Sequence, residues 1–450
     1  MNKNRRIVIE NVLTVTMNKN SEIDVFTIVI ENGKISSLTK KAEGFDIEKR
    51  RDDRIVEGKN RIAIPGLFNG HIHSDITLAR GLGDGLTLYE QDNDSYVSRK
   101  RWFKNELDRE ARYHSKLLQY VEALKGGTTF LCDVPFWHYG DDLTGPLKET
   151  GIKGAVVLDY RKDFLSGVEV EWESYRDTVI HLKENGYLPI VEGPAEESYD
   201  VGLLKRLMDR KEELDTFIQM HLAETMWRVK ITEEKFGKRP VKFLWDEGFL
   251  DSRVIGSHGV FINDDEIGMM KDAGARIVNC PTAEMKIADG IAPVVKLLRH
   301  SVPTGIGTDG ALWNDSADIF SEMKNLMLLQ RVTYGASSLD AYSCLYTATM
   351  GSARVFGLEN ELGSIEPGKN ACIALIDYNK PHLVPIYNGE TSNVLQIVTS
   401  CAQASDVDTV IVDGKIIMEN RMVTTVDEEE LLKTCQEMGT VRFRDLKFDG

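Results

Sequence analysis

Pro65-Gly66-Leu67-Phe68-Asn69-Gly70-His71-Ile72-His73 ends an apolar run and brings two histidines together. The run 61–67 reads as a buried strand, and the Gly- and Asn-rich stretch beyond it as a turn. On extended backbone, side chains two apart point the same way, so His71 and His73 aim both imidazoles at one spot. Two neutral imidazoles converging at a strand end make half of a divalent-metal site. Two histidines packed in a loop mouth would show the same spacing, so the rest of the chain decides.

Downstream, apolar strands alternate with helices. The expected strands are 62–67, 128–132, 154–158, 188–191, 216–221, 253–257, 275–279 and 303–308, with helices such as 112–124 and 199–214 between them. Eight such strands over roughly 300 residues fit an α/β fold of the (β/α)8 TIM-barrel type. The flanks differ in texture. Segments 6–15 and 25–30, with an Asn32-Gly33 hairpin turn, are β-rich, and so are 371–376, 409–412 and 415–418 around Asp413-Gly414. The expected organisation is a small β-sandwich domain built from both chain termini (1–62 with 363–424), a barrel over 63–362 and a helical tail over 425–450.

The bulk numbers exclude some classes of function. A net charge of −16 over 450 residues argues against nucleic acid or an anionic membrane as partner. No segment approaches the roughly 18 apolar residues of a membrane span, and the basic start lacks a signal-length apolar stretch. Six dispersed cysteines without a Cys-x-x-Cys pair favour reduced thiols and a cytoplasmic setting.

A barrel does its chemistry at the C-terminal ends of its strands. There the sequence places His71 and His73, His221, His258 in Gly256-Ser257-His258-Gly259, and Asp309 in Gly307-Thr308-Asp309-Gly310. Three imidazoles and a carboxylate suit zinc or another divalent transition metal, which can bring the pKa of a bound water to about 7. Glu224 follows His221 on the loop leaving that strand and suits a proton shuttle, while His258 is left to orient the nucleophile or polarise the substrate. A single His or Asp at a strand end is more often structural; five arriving together are hard to place by accident. Trp137 and His138 follow the second strand and Glu284 the seventh, so all three are candidates for contact with substrate.

In these motifs the chain resembles the amidohydrolase superfamily over nearly its whole length. The Gly363-Ser364-Ile365-Glu366-Pro367-Gly368-Lys369 and Val412-Asp413-Gly414-Lys415 stretches match as well. Within it, Thr77-Leu78-Ala79-Arg80-Gly81, His221-Leu222-Ala223-Glu224-Thr225 and the run from Met285-Lys286 through Pro293-Val294 are similar to the branch holding triazine hydrolases and methylthioadenosine/S-adenosylhomocysteine deaminases. The fourth strand carries no lysine that could bridge two metals. The resemblance therefore implies one divalent metal ion per subunit, zinc (Zn2+) first with Fe2+ or Mn2+ as alternatives, held by His71, His73, His221 and Asp309. It gives Glu224 the proton transfers, Asp309 the proton of the hydroxide and His258 assistance at the ring. It also implies a homo-oligomer, a dimer or tetramer.

The recognition positions depart from that branch. Ala195 stands where the deaminases carry His after Gly-Pro, Glu284 stands in place of Asn, and Lys104, with Glu106 two residues away, occupies the place of the ribose-binding Glu. The expected activity is a mononuclear metal-dependent aminohydrolase acting on an amino-substituted purine, pterin, pyrimidine or triazine by attack of metal-bound hydroxide. The alternatives are hydrolysis of another C–N bond (a cyclic amide) or a C–Cl bond at the same centre, or a non-catalytic barrel scaffold.

Overall fold

The computed structural model describes residues 6–41, 48–92, 107–136, 143–159 and 171–444. Five strands come first: β1 (Ile7–Val15), β2 (Ile23–Glu31), β3 (Lys34–Lys40), β4 (Arg54–Glu57) and β5 (Arg61–Pro65). The turn between β2 and β3 takes Asn32 and Gly33 to φ 52° and 81°, the left-handed pair that a tight hairpin needs. Next come the barrel strands β6 (Leu67–Ile72), β7 (Thr128–Asp133), β8 (Lys153–Leu158), β9 (Leu188–Glu192), β10 (Phe217–Leu222), β11 (Val254–His258), β12 (Arg276–Asn279) and β13 (Thr304–Ile306). Late in the chain lie β14 (Ile373–Asp377), β15 (Val407–Val412), β16 (Lys415–Glu419) and β17 (Met422–Val423).

Gly66 divides what the sequence reads as one strand. Residues before it, in β5, pair with β14 and β1 in the terminal sheet, while residues after it, in β6, pair with β7 in the barrel. Gly66 itself donates its N–H to Cys372 C=O at 2.9 Å. Its missing side chain matters because a Cβ there would overlap the Thr129 side chain. The first barrel strand therefore begins later than the apolar pattern predicts. His71 lies inside β6, where periodicity alone puts a turn.

The eight barrel strands run parallel in sequence order, β6 to β13. β6 and β7 are buried at every position, as parallel strands covered on both faces must be. The barrel closes through side-chain and main-chain bonds beyond β13. Thr308 and Asp309 donate their N–H groups to His71 C=O at 3.2 and 2.9 Å. Asn69 and Thr308, both fully buried, exchange bonds of 2.7 and 3.1 Å.

The terminal strands join into one nine-stranded mixed sheet, ordered β17-β16-β15-β14-β5-β1-β2-β3 with β4 on β1. One face buries Ile9, Ile28, Ile373 and Ile411. The other shares a core with the barrel, in which Leu13, Ile62, Ala374 and Val410 join Phe68 and Phe130. The acidic stretch near the C-terminus opens a helix, Glu428–Phe443, with Asp427 as its cap. Leu431 and Cys435 pack it against Leu117 and Val121 of the helix Arg109–Lys125.

Candidate metal centre

His71, His73, His258 and Asp309 are at most 3% exposed, and His221 is partly buried. His71, His73 and His221 offer ligand atoms within 4.8 Å of one another. Asp309 Oδ1 lies 3.4 Å from His73 Nε2 and 3.9 Å from His71 Nε2. His73 Nδ1 sits 2.6 Å from Val134 C=O. A carbonyl only accepts, so Nδ1 carries the proton and Nε2 presents its lone pair. His71 Nδ1 faces Ser257 Oγ at 3.1 Å, which also receives Gln219 Nε2 at 3.0 Å. Gln219 Nε2 also faces His71 Nδ1 at 3.3 Å, and the buried Nε2 of His71 has no hydrogen-bond partner among the described residues. A buried ring nitrogen without a partner costs free energy that an ion recovers. This N, N, N, O set fits a divalent metal.

Electrostatics agree. Burial lowers the pKa of His71 and His221 well below the ordinary imidazole value, and neighbouring imidazoles lower both further. Burial brings His73 down to about 4. All three are therefore neutral at pH 7, the state in which imidazole can bind a metal. Burial lifts the Asp309 carboxyl to about 7, with Glu224 adding to the rise and His258 opposing it.

Glu224 and His258 lie beside these histidines. Glu224 leaves β10 after Ala223, whose φ is 48°. Thr225 caps the helix Met226–Phe236 that follows. One Glu224 oxygen takes Arg228 Nη1; the other, Oε1, lies 3.6 Å from His258 Nε2. His258 Nδ1 faces Glu284 Oε1 at 3.5 Å. Burial works against a charged His258, but Glu224, Glu284 and Asp309 outweigh it and raise the imidazole to about 10.

Glu284, expected at the substrate, is 1% exposed. Its oxygens are taken by Asn279 Nδ2 at 2.7 Å and Cys280 N–H at 3.0 Å. It lies in the first turn of the short helix Pro281–Lys286, where it bonds the Asn279 side chain of β12 and the Cys280 N–H. Trp137, His138, Lys104 and Glu106 lie outside the described residues. Other histidines are peripheral: His114 and His300 bond their own helices, and His382 pairs with Asp406 at 2.8 Å.

Periodicity missed several contributors. A cavity of about 190 Å³ opens beside His73 and His221, and Phe136, Asp159 and Glu192 line it. Phe136 stacks on His73 with ring centroids 4.8 Å apart. Glu192 and Asp159 each follow an apolar strand, and that strand-end position was the signal available for them. Ser257 and Gln219 gave none beyond being polar in buried strands.

With this geometry in place, comparison with known proteins is informative. The model of the amidohydrolase family matches residues 62–417. A 5-methylthioadenosine/S-adenosylhomocysteine deaminase of Thermoanaerobacter pseudethanolicus is 34% identical over 86% of this chain and 88% of its own. A 5'-deoxyadenosine deaminase of Methanobrevibacter smithii is 34% identical, covering 91% and 92%. Among solved structures, a zinc-bound adenosine deaminase from Xanthomonas campestris superposes with a TM-score of 0.86 at 24% identity, covering 98% and 99%. A zinc complex of atrazine chlorohydrolase from Arthrobacter aurescens gives 0.84 at 20%, covering 96% and 100%. These two share the fold. On the family match and the curated relatives together, the chain belongs to the amidohydrolase family.

Proposed function

We propose that the chain is a mononuclear metal-dependent aminohydrolase, with zinc as its metal, that replaces an amino group on an N-heterocycle by oxygen and releases ammonia. One observation carries the reading: three neutral imidazoles and Asp309 converge in the same buried pocket as the Glu224–His258 pair. The names of the two curated relatives above, both deaminases, support the leaving group. When bound, a divalent ion supplies Lewis acidity and acidifies a water at neutral pH.

The residues divide the remaining work. Asp309 accepts the last proton of the nucleophile and returns it to the product oxygen. Glu224 takes a proton from the attacking water and delivers it to the departing nitrogen, so that C–NH2 and water become C–OH and ammonia. Arg228 holds the second oxygen of Glu224 and fixes the direction of the first. His258, held as imidazolium, stabilises negative charge that builds on the ring.

A homo-oligomeric state and a cytoplasmic setting belong to the same proposal, supported by the resemblance and by six free cysteines. No helix among the described residues is long and apolar enough to cross a membrane.

The test is ammonia release from amino-substituted purines, pterins, pyrimidines and triazines by metal-loaded protein beside Glu224→Gln. The expected result is turnover of at least one ring, lowered about 10²–10⁴-fold in the variant. Chloride or a ring-opened product instead of ammonia would move the reading to the other hydrolytic reactions of this centre.

A further inference from the structure

Four carboxyl groups surround His258, and three have their partners. Glu224 is paired with Arg228, Glu284 with Asn279 and the Cys280 N–H, and Asp309 with the Gly310 N–H at 2.7 Å. The fourth, Asp289, has a buried Oδ2 with no hydrogen-bond partner among the described residues. It lies within the fields of Glu224, His258, Glu284 and Arg228. Burial, then the Glu224 charge, lifts its carboxyl to about 8, as expected of a group lacking a donor.

The backbone holds Asp289 in this position. Ala288 and Gly290, on either side, have φ of 59° and 145°. The Asp289 N–H closes on Glu284 C=O at 2.9 Å. Gly290 lies so close to Val260 that a Cβ would come within 2.9 Å of it, which pins the loop to the segment just after His258. A loop kept in unfavourable backbone to present an unsatisfied acceptor next to the acid–base pair is waiting for a donor.

We propose that Asp289 determines specificity by accepting a hydrogen bond from a ring N–H that flanks the reacting C–NH2. This inference rests on the aminohydrolase reading. The ring it selects is the 2-amino-4-oxo-pyrimidine type found in isocytosine, guanine and pterin, where an N–H adjoins the amino carbon. In an adenine-type ring every nitrogen beside the amino carbon is an acceptor and would leave Oδ2 unsatisfied. A sugar hydroxyl could also donate, but the charges acting on Asp289 come from groups at the reacting carbon.

The experiment measures both kcat/KM for ammonia release and calorimetric binding with metal-loaded wild type, Asp289→Ala and Asp289→Asn. The ligands are isocytosine, guanine, pterin, adenine, adenosine and guanosine, and each variant's melting temperature and metal content are checked. The expected result is a wild-type preference for the N–H-bearing rings. Asp289→Ala should lose roughly tenfold to a hundredfold on them and less than about threefold on adenine and adenosine. Asp289→Asn, which keeps an acceptor oxygen, should lose less. Equal losses on every ring, or losses confined to ribosides, overturn the proposal; so does a wild type that prefers adenine or binds none of the N–H-bearing rings. If guanine binds in an Asp289-dependent way but no ring yields ammonia, the aminohydrolase reading fails, and Asp289 as a specificity residue for that reaction falls with it. If adenosine alone is deaminated and Asp289→Ala is silent, the aminohydrolase reading stands and the role of Asp289 alone fails.

Discussion

Lys116→Met should destabilise the protein more than its distance from the chemistry suggests. Lys116 is 3% exposed and its Nζ lies 2.8 Å from Asp133 Oδ2 at the end of β7, where Asp133 is fully buried. Tyr120 Oη donates to the same oxygen at 2.8 Å, and Ser74, next to His73, gives its Oγ–H and N–H to the other at 2.7 and 3.2 Å. Methionine keeps the apolar stem but removes the charge, and breaking one side of a buried pair costs about 3–5 kcal/mol. At about 2.1 cal/mol/K per residue, 450 residues melting together have an entropy near 0.95 kcal/mol/K, so the melting temperature should fall by about 3–5 °C at pH 7. Burial works to raise the Asp133 pKa, yet the Lys116 charge and three hydrogen bonds hold it below the ordinary 3.8. A carboxylate depressed on folding stabilises above its unfolded pKa and loses that contribution as pH falls through the folded one. The gap between wild type and variant should therefore narrow below about pH 4. Calorimetry across pH checks both statements. A variant melting within about 1 °C of wild type at pH 7 would refute the reasoning, because the carboxylate would then not depend on its ammonium partner.

Two further outcomes follow from the same hydrogen-bond accounting. Ser257→Ala removes the hydroxyl that holds the His71 ring at Nδ1, so metal affinity should weaken about 10–100-fold in competition with a chelator while the fold persists. Gly66→Ala forces a methyl against Thr129 where the chain passes between its two sheets; it should cost about 1–3 kcal/mol, read as a lower denaturation midpoint with unchanged slope.

Much of the candidate site was legible because a parallel barrel writes it in a simple form. Each barrel strand is an apolar run, and a polar residue that ends such a run faces the mouth; His221, His258 and Asp309 could all be placed this way. Local pattern fails where a residue's partner is distant in sequence. Asn69 and Thr308 are 239 residues apart, and nothing near either announces that closing the barrel will make them neighbours. Gly66 looked like part of a strand because apolar pattern does not record which sheet a strand joins. Glu284 reads from its place after the seventh strand as a candidate for substrate contact, but a side chain in the first turn of a short helix can face outward or back toward its strand. Local pattern does not announce its bonds to Asn279 and the Cys280 N–H.

The backbone at the strand ends explains why so many polar groups converge. Ala223, His258 and Asp309, after or at the ends of β10, β11 and β13, all have positive φ, at 48°, 75° and 65°. For a residue with a Cβ this costs on the order of 1 kcal/mol and persists only when the surroundings dictate it. Here they do: Phe261 N–H binds Ala223 C=O at 2.9 Å, Gly259 N–H binds Leu222 C=O at 3.0 Å, and Asp309 N–H binds His71 C=O at 2.9 Å. The strain turns each chain sharply as it leaves the sheet, so that side chains which would splay outward point over the barrel axis. The resulting pocket is electrostatically unfavourable on protein charges alone, since burial resists both protonation of the three imidazoles and ionisation of Asp309. A divalent cation removes the second objection without raising the first, because it favours a carboxylate and needs its histidines neutral. The lowered imidazole pKa values and the unpartnered Nε2 of His71 thus fit the same divalent ion.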